Sequence, residues 1–110
     1  MSKKPPKKTK VKGEAKGLSL GVEKYVLKLF VTGILPNSAR AVVNIKAICE
    51  KYLKDRYELE IIDIYQQPSL ALSENIIAVP VLIKKFPLPE ERLIGDLSDI
   101  EKVLNGLHIA

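Results

Sequence analysis

The 110-residue sequence has no tryptophan, one cysteine, one methionine, one histidine and two phenylalanines. Each scarcity closes off a kind of chemistry. A single thiol, Cys49, cannot form an internal disulfide, which agrees with a reducing compartment. Cys49 shares a helical apolar pattern with Val42, Ile45 and Tyr52, so it reads as a buried core thiol. The lone histidine, His108, stands two residues from the C-terminus, where chain ends fray, which makes it a poor base or metal ligand. Glycine-rich phosphate loops and metal-spaced clusters are absent. So is any run of about 18 apolar residues that would span a bilayer, and the N-terminus lacks the apolar stretch of a signal peptide. A soluble cytoplasmic protein without cofactor or metal is expected.

What is present is charge of one sign at one end. Residues 1–16 hold seven lysines and one glutamate, a net of +6, while the whole chain carries +5 and the remainder therefore −1. A near-neutral body with a basic arm implies a basic disordered tail over residues 1–20 and one domain over residues 21–110. It argues against a nucleic-acid groove, which needs a basic body. With 46% apolar residues the body can bury a single core.

Along that body the hydrophobic period changes several times. "KYVLKLFVT" (24–32) alternates Tyr25, Leu27, Leu29 and Val31 on one side and places Val26 and Phe30 on the other, the pattern of a strand covered on both faces. Residues 37–54 repeat at three and four through Val42, Ile45, Cys49 and Tyr52, which predicts one amphipathic helix. Asn37 or Ser38 is expected to cap it after Pro36, with Arg40, Asn44, Lys46, Glu50, Lys51 and Lys54 on its solvated face and Glu50 and Lys54 at a stabilising spacing. "YELEIIDIY" (57–65) predicts a second strand, parallel to the first because a whole helix intervenes. A short helix from Pro68 within residues 68–78, strands at 80–86 and 91–95 joined by Pro87-Leu88-Pro89, and a last helix follow. The last helix is expected to open on a Ser98–Glu101 capping box and to carry a stripe of Ile100, Val103, Leu104 and Leu107. Asp96 and Asp99 sit where carboxylates favour a helix start in any case, so they do not require an acid/base pair.

The resulting order, β-α-β-α-β-β-α with Val79-Pro80 before the third strand, predicts an α/β thioredoxin-like domain, in which that proline is usually cis. Redox chemistry on such a fold needs a thiolate at the start of the first helix, where the dipole stabilises the anion. In "GILPNSARAV" (33–42) Leu35 and Ser38 occupy the two positions instead. A serine alone could activate a bound thiol, so a divergent thiol transferase stands as an alternative, but the rest of the sequence points to a binding protein.

The stretches "YVLKLFVTG", "PNSARA", "EIIDI", "IIAVPVLIKK" and "IGDLSDIEKVLNGL" occur in the order and spacing of the circadian clock family KaiB, which the chain resembles over roughly residues 24–107. The resemblance implies a non-enzymatic partner of the hexameric ATPase KaiC, docking on its N-terminal ring. In clocks that possess KaiA, the bound ring would capture KaiA and compete with a sensor kinase bearing a KaiB-like domain. It also implies a metamorphic chain, whose resting fold self-associates as a dimer or tetramer and whose monomeric thioredoxin-like fold binds. The expected partner-binding residues are Leu35, Pro36, Asn37, Ser38, Arg40, Gln66 and Asn75. Pro80, Pro87, Pro89, Gly95, Asp96, Gly106 and His108 are the expected fold-switch positions.

The sequence also departs from the family. Gln66 and Asn75 stand where cyanobacterial members carry lysines, which weakens the electrostatic part of docking and leaves open a stress-response relative with a different partner. His108 replaces a common acidic residue in the last helix; losing that charge from a helix C-terminus favours the thioredoxin-like fold by about 0.3–1 kcal/mol.

Overall fold

In the computed structural model the described residues are 24–109; residues 1–23 and 110, and with them the expected tail and the first residues of the expected domain, lie outside them. β1 (Tyr25–Val31) is the central apolar strand foreseen from its two-sided pattern, with Leu27, Leu29 and Phe30 fully buried. α1 (Pro36–Tyr52) follows, then β2 (Tyr57–Asp63), α2 (Pro68–Ser73), β3 (Val81–Phe86), β4 (Glu91–Ile94) and α3 (Ile100–Gly106). The sheet order is β2-β1-β3-β4, with β1 parallel to β2 and β3 antiparallel to both β1 and β4. This is the thioredoxin-like arrangement the element order predicts.

Two apolar clusters lie on the two faces of the sheet. On one face Tyr25, Leu27, Leu29, Val31 and Leu82 pack with Ala41, Ile45, Ile48 and Cys49 of α1 and with Val103 and Leu107 at α3. On the other, Phe30, Ile62, Val81 and Ile83 pack with the half-buried Ile64, Leu70, Ile76 and Val79. The 17-residue α1 is therefore anchored by burial, whereas the six-residue α2 contains no buried residue. Cys49 is fully enclosed, and burial pushes its thiol up to about 12, so it stays protonated and inert.

Local capping departs from expectation at both ends of the chain. Leu35, not Asn37 or Ser38, is the N-cap of α1, and no side chain caps that end; Pro36 starts the helix with a fixed φ and no N–H to satisfy. The Ser98–Glu101 capping box does not form. Asp99 is the N-cap of α3, its Oδ1 accepting from Lys102 N at 3.1 Å. α1 ends at Tyr52, so Lys54 falls beyond the helix and Glu50 instead accepts from the Tyr57 hydroxyl at 2.7 Å, which helps push that phenol up to about 12. The expected outer stripe of α1 is also too broad, since Asn44 turns in to donate to Asp96 O at 2.8 Å.

His108 is tied to the domain on two sides. His108 follows the helix with φ 59°, its carbonyl accepts from the Tyr25 hydroxyl at 3.4 Å, and its Nε2 lies 3.2 Å from Glu91 Oε2 on β4. Only Gly106 of the two expected switch positions at this end is helical; His108 lies past the C-cap Leu107. Val79-Pro80 is cis, as the fold implies, and so are Phe86-Pro87 and Leu88-Pro89.

Candidate protein-binding site

The start of α1 is built to hold the end of β1. Ser38 is only 2% exposed, and its Oγ accepts from Thr32 N at 3.1 Å, so the hydroxyl faces the strand end and not the surroundings. Ser38 thus supports the start of α1 from inside, its hydroxyl engaged by the strand end. Leu35, Pro36, Asn37 and Arg40 remain exposed around it. Beside them Asp63 at the end of β2 accepts from Gly33 N at 3.2 Å and from Tyr65 N at 2.8 Å, fixing the loops that follow β1 and β2.

Arg40 reaches across from α1 to the loop after β4. Its guanidinium donates to Asn37 Oδ1 and, at 3.1 Å, to Asp96 Oδ2. The Ser98 hydroxyl and the Arg40 guanidinium hold the Asp96 carboxyl below the usual carboxylate range. Gly95 N donates to Pro80 O at 3.0 Å, so the chain entering β3 and the chain leaving β4 meet here. Asn37 and Arg40, expected as partner contacts, are thus brought together with Pro80, Gly95 and Asp96, expected as switch positions. Gly95 has φ 120°, a backbone region natural only to glycine, and Leu97 holds φ 65° against the cost a leucine meets there.

The remaining expected residues lie elsewhere. Gln66 and Asn75 are exposed and bracket α2, Asn75 with φ 56° in the turn that ends it. Pro87 and Pro89 stand at the far end of β3, in the turn to β4. Gly106 lies against β4, where a Cβ would meet Leu93 Cδ2 at 2.5 Å.

Several apolar side chains are presented outward around α2 and β4. Ile77 is 96% exposed, with Tyr65, Leu72 and Ile94 also largely open. Ile77 and Ile94 line a cleft of about 300 Å³ with Asn75, Ile76, Ala78, Val81 and Arg92. Periodicity could not find this surface, because "ENIIAVP" is apolar without a helical or a strand repeat. Among the described residues no group of three or more histidine, cysteine or acidic side chains could hold a metal ion, and no helix is long and apolar enough to cross a membrane.

The described chain is a thioredoxin-like domain with no thiol at the start of its first helix. The KaiB domain family matches residues 28–109, and the chain belongs to that family. It is 46% identical over 90 residues to the circadian clock protein KaiB3 of Synechocystis sp., covering 82% of this chain and 88% of that protein. It is 49% identical over 85 residues to the circadian clock oscillator protein KaiB of Synechococcus elongatus, covering 77% and 83%. Among solved structures, the N-terminal domain of Synechococcus elongatus SasA is similar at TM-score 0.65 and 26% identity, covering 84% of this chain and 90% of that one. Chloroplastic thioredoxin z matches at TM-score 0.64 and 15% identity over 78% and 80%, a likeness of fold alone.

Proposed function

We propose that this chain is a non-enzymatic, cytoplasmic clock or timing regulator that docks on the N-terminal ring of a KaiC-type hexameric ATPase and modulates its cycle. The observation that carries the reading is the apolar surface around α2, where Ile77, Leu72 and Tyr65 stand open beside Gln66 and Asn75. Isolated exposed apolar residues are ordinary, but the open Ile77 and Ile94 line one cleft and mark a contact surface. Leu35, Pro36, Asn37 and Arg40 extend the surface at the start of α1. With glutamine and asparagine in place of lysines, docking here relies on apolar burial more than on charge, and depends weakly on salt.

Family membership supports a second, self-associating resting fold, with residues from Pro80 through Pro87, Pro89, Gly95, Asp96 and Gly106 to His108 as the part that repacks. Two short helices, a four-residue β4 and backbone held at positive φ at Asn75, Leu97 and His108 are what a segment with a competing packing would carry. Where KaiA exists, the loaded ring captures it; the likeness to the SasA domain supports competition with a kinase of that kind for one ring site.

The test is size-exclusion chromatography with light scattering on the chain mixed with the KaiC-type ATPase of the same genome and ATP. After a day's incubation, co-elution with the ring is expected. The chain eluting alone would overturn the assignment of partner.

A further inference from the structure

Nothing in α2 itself explains why it stays on the sheet. It is six residues long, has no side-chain N-cap, no charge suited to its dipole at either end and no buried residue. Its apolar attachment is the half-buried Leu70, together with Ile76 just beyond it.

The C-cap of α2 is Glu74, and side chains of both β3 and β4 reach it. Lys85 Nζ on β3 donates to its Oε1 at 3.2 Å and its Oε2 at 3.0 Å, and Arg92 Nη2 on β4 lies 3.4 Å from Oε1. Glu90 closes the ring of charges, 3.2 Å from Lys85 and 3.7 Å from Arg92. The Glu74 side chain is 18% exposed, so these are partly desolvated contacts in a network of two acids and two bases, the setting in which ion pairs contribute measurably. The hydrogen bond to Glu74 is also the largest cause holding the Lys85 ammonium above its ordinary range.

We propose that Glu74 is a positioning residue: an electrostatic clasp that holds α2 against the β3–β4 hairpin, and whose release lets residues 67–77 open as a local unit. Arg92, one arm of the clasp, also lines the cleft beside Ile77 and Ile94, so the clasp fixes one wall of the apolar surface. Release lifts Leu70 and Ile76 off Phe30, Ile62, Val81 and Ile83, leaving Ile64 and Val79 over them. Calling the surface a docking site rests on the proposed function; the clasp itself does not.

The test is amide hydrogen exchange on the free chain, with no ring present, so that its outcome is independent of ring binding. The probes are Ala71 and Ile76, whose N–H groups donate to Gln67 O and Ala71 O. Raising NaCl from about 0.05 M to about 0.5 M shortens the screening length from roughly 14 Å to roughly 4 Å, close to the separations of the outer pairs, and is expected to speed exchange roughly threefold to tenfold. Amides of Ile45 and Ile48 in α1 keep their rates. Glu74→Gln at low salt reproduces the acceleration and abolishes the salt dependence, while Glu74→Asp restores part of the protection. A helix held merely by packing would give equal rates in the wild-type chain and in Glu74→Gln, or a salt response that persists in Glu74→Gln. Either result overturns the clasp.

Discussion

The two halves of the chain solve the same problem differently. From Tyr25 to Asp63, two seven-residue strands flank a 17-residue helix whose inner face is buried from Ser38 to Cys49. From Pro68 to Gly106, a six-residue helix, a four-residue strand and a seven-residue helix bury a single helical residue, Val103, between them. The first helix is held by area removed from water; in the second half β3 is buried the same way through Val81, Leu82 and Ile83, while α2, β4 and the flanking loops lean on individual polar contacts such as Arg40 to Asp96, Asn44 to Asp96, Glu74 to Lys85 and His108 to Glu91. Burial is non-directional and hard to undo piecemeal, whereas single contacts can be broken one at a time. The second way suits the partner-binding, repacking role proposed for this half.

The largest effect should come from breaking the first half. Ile45→Ala removes a fully buried side chain from the α1 face of the core and is expected to lower unfolding free energy by about 3 kcal/mol in urea melts. A loss under about 1 kcal/mol would mean α1 is not the anchor. Next, Ser38→Ala strips the acceptor from the Thr32 amide and should cost about 1–2 kcal/mol by the same measurement, because a buried N–H is left unpaired. A neutral result would show that water reaches that amide and that Ser38 is freer than its burial implies.

The second half should respond to pH more than to truncation. A carboxyl whose pKa is depressed on folding stabilises the folded state above its unfolded value, and that contribution disappears as pH falls through the folded one. For Asp96 the loss therefore begins below about pH 3.8, and Asp96→Asn should flatten that part of the acid-unfolding curve without altering its shape near neutrality. Equal acid limbs in the two proteins would remove Asp96 from the tethers. The smallest change is expected from Leu72→Ala: an exposed residue on α2 should leave the melting temperature of the free chain within about a degree or two, since it contributes surface and not core.

The sequence made the first half nearly transparent because long periodic elements advertise their buried side. β1 and α1 were both legible from spacing, down to the enclosure of Cys49. What escaped was set by tertiary partners. Ser38 looked like a helix cap, yet the Thr32 amide claims its oxygen from the strand side. Asn44 read as solvated because nothing in α1 reveals that the loop after β4 passes over it. Ser98 and Glu101 have the spacing of a capping box, but Asp99, one residue on, wins the Lys102 amide. In the second half the helices are too short for a period to declare itself, so the outward turn of Ile77 and the ion-pair ring at Glu74 became visible only in three dimensions. The element order supplied the fold; neither it nor the family resemblance revealed that Arg40 reaches Asp96 or that the Ser38 hydroxyl turns to the Thr32 amide.

The most direct measurement is a binding titration of the KaiC-type N-terminal ring with two variants that each place a charge on an exposed apolar position, one per half. Ile77→Asp lies on the α2 surface and Val43→Asp on the outer face of α1, and neither side chain is buried in the free chain. If the second half carries docking, Ile77→Asp weakens binding at least about tenfold, the loss of one buried apolar anchor, while Val43→Asp binds as the wild type does. Undiminished binding by Ile77→Asp, with the loss falling on Val43→Asp, would place the interface on the rigid half and contradict the division of labour drawn between the two.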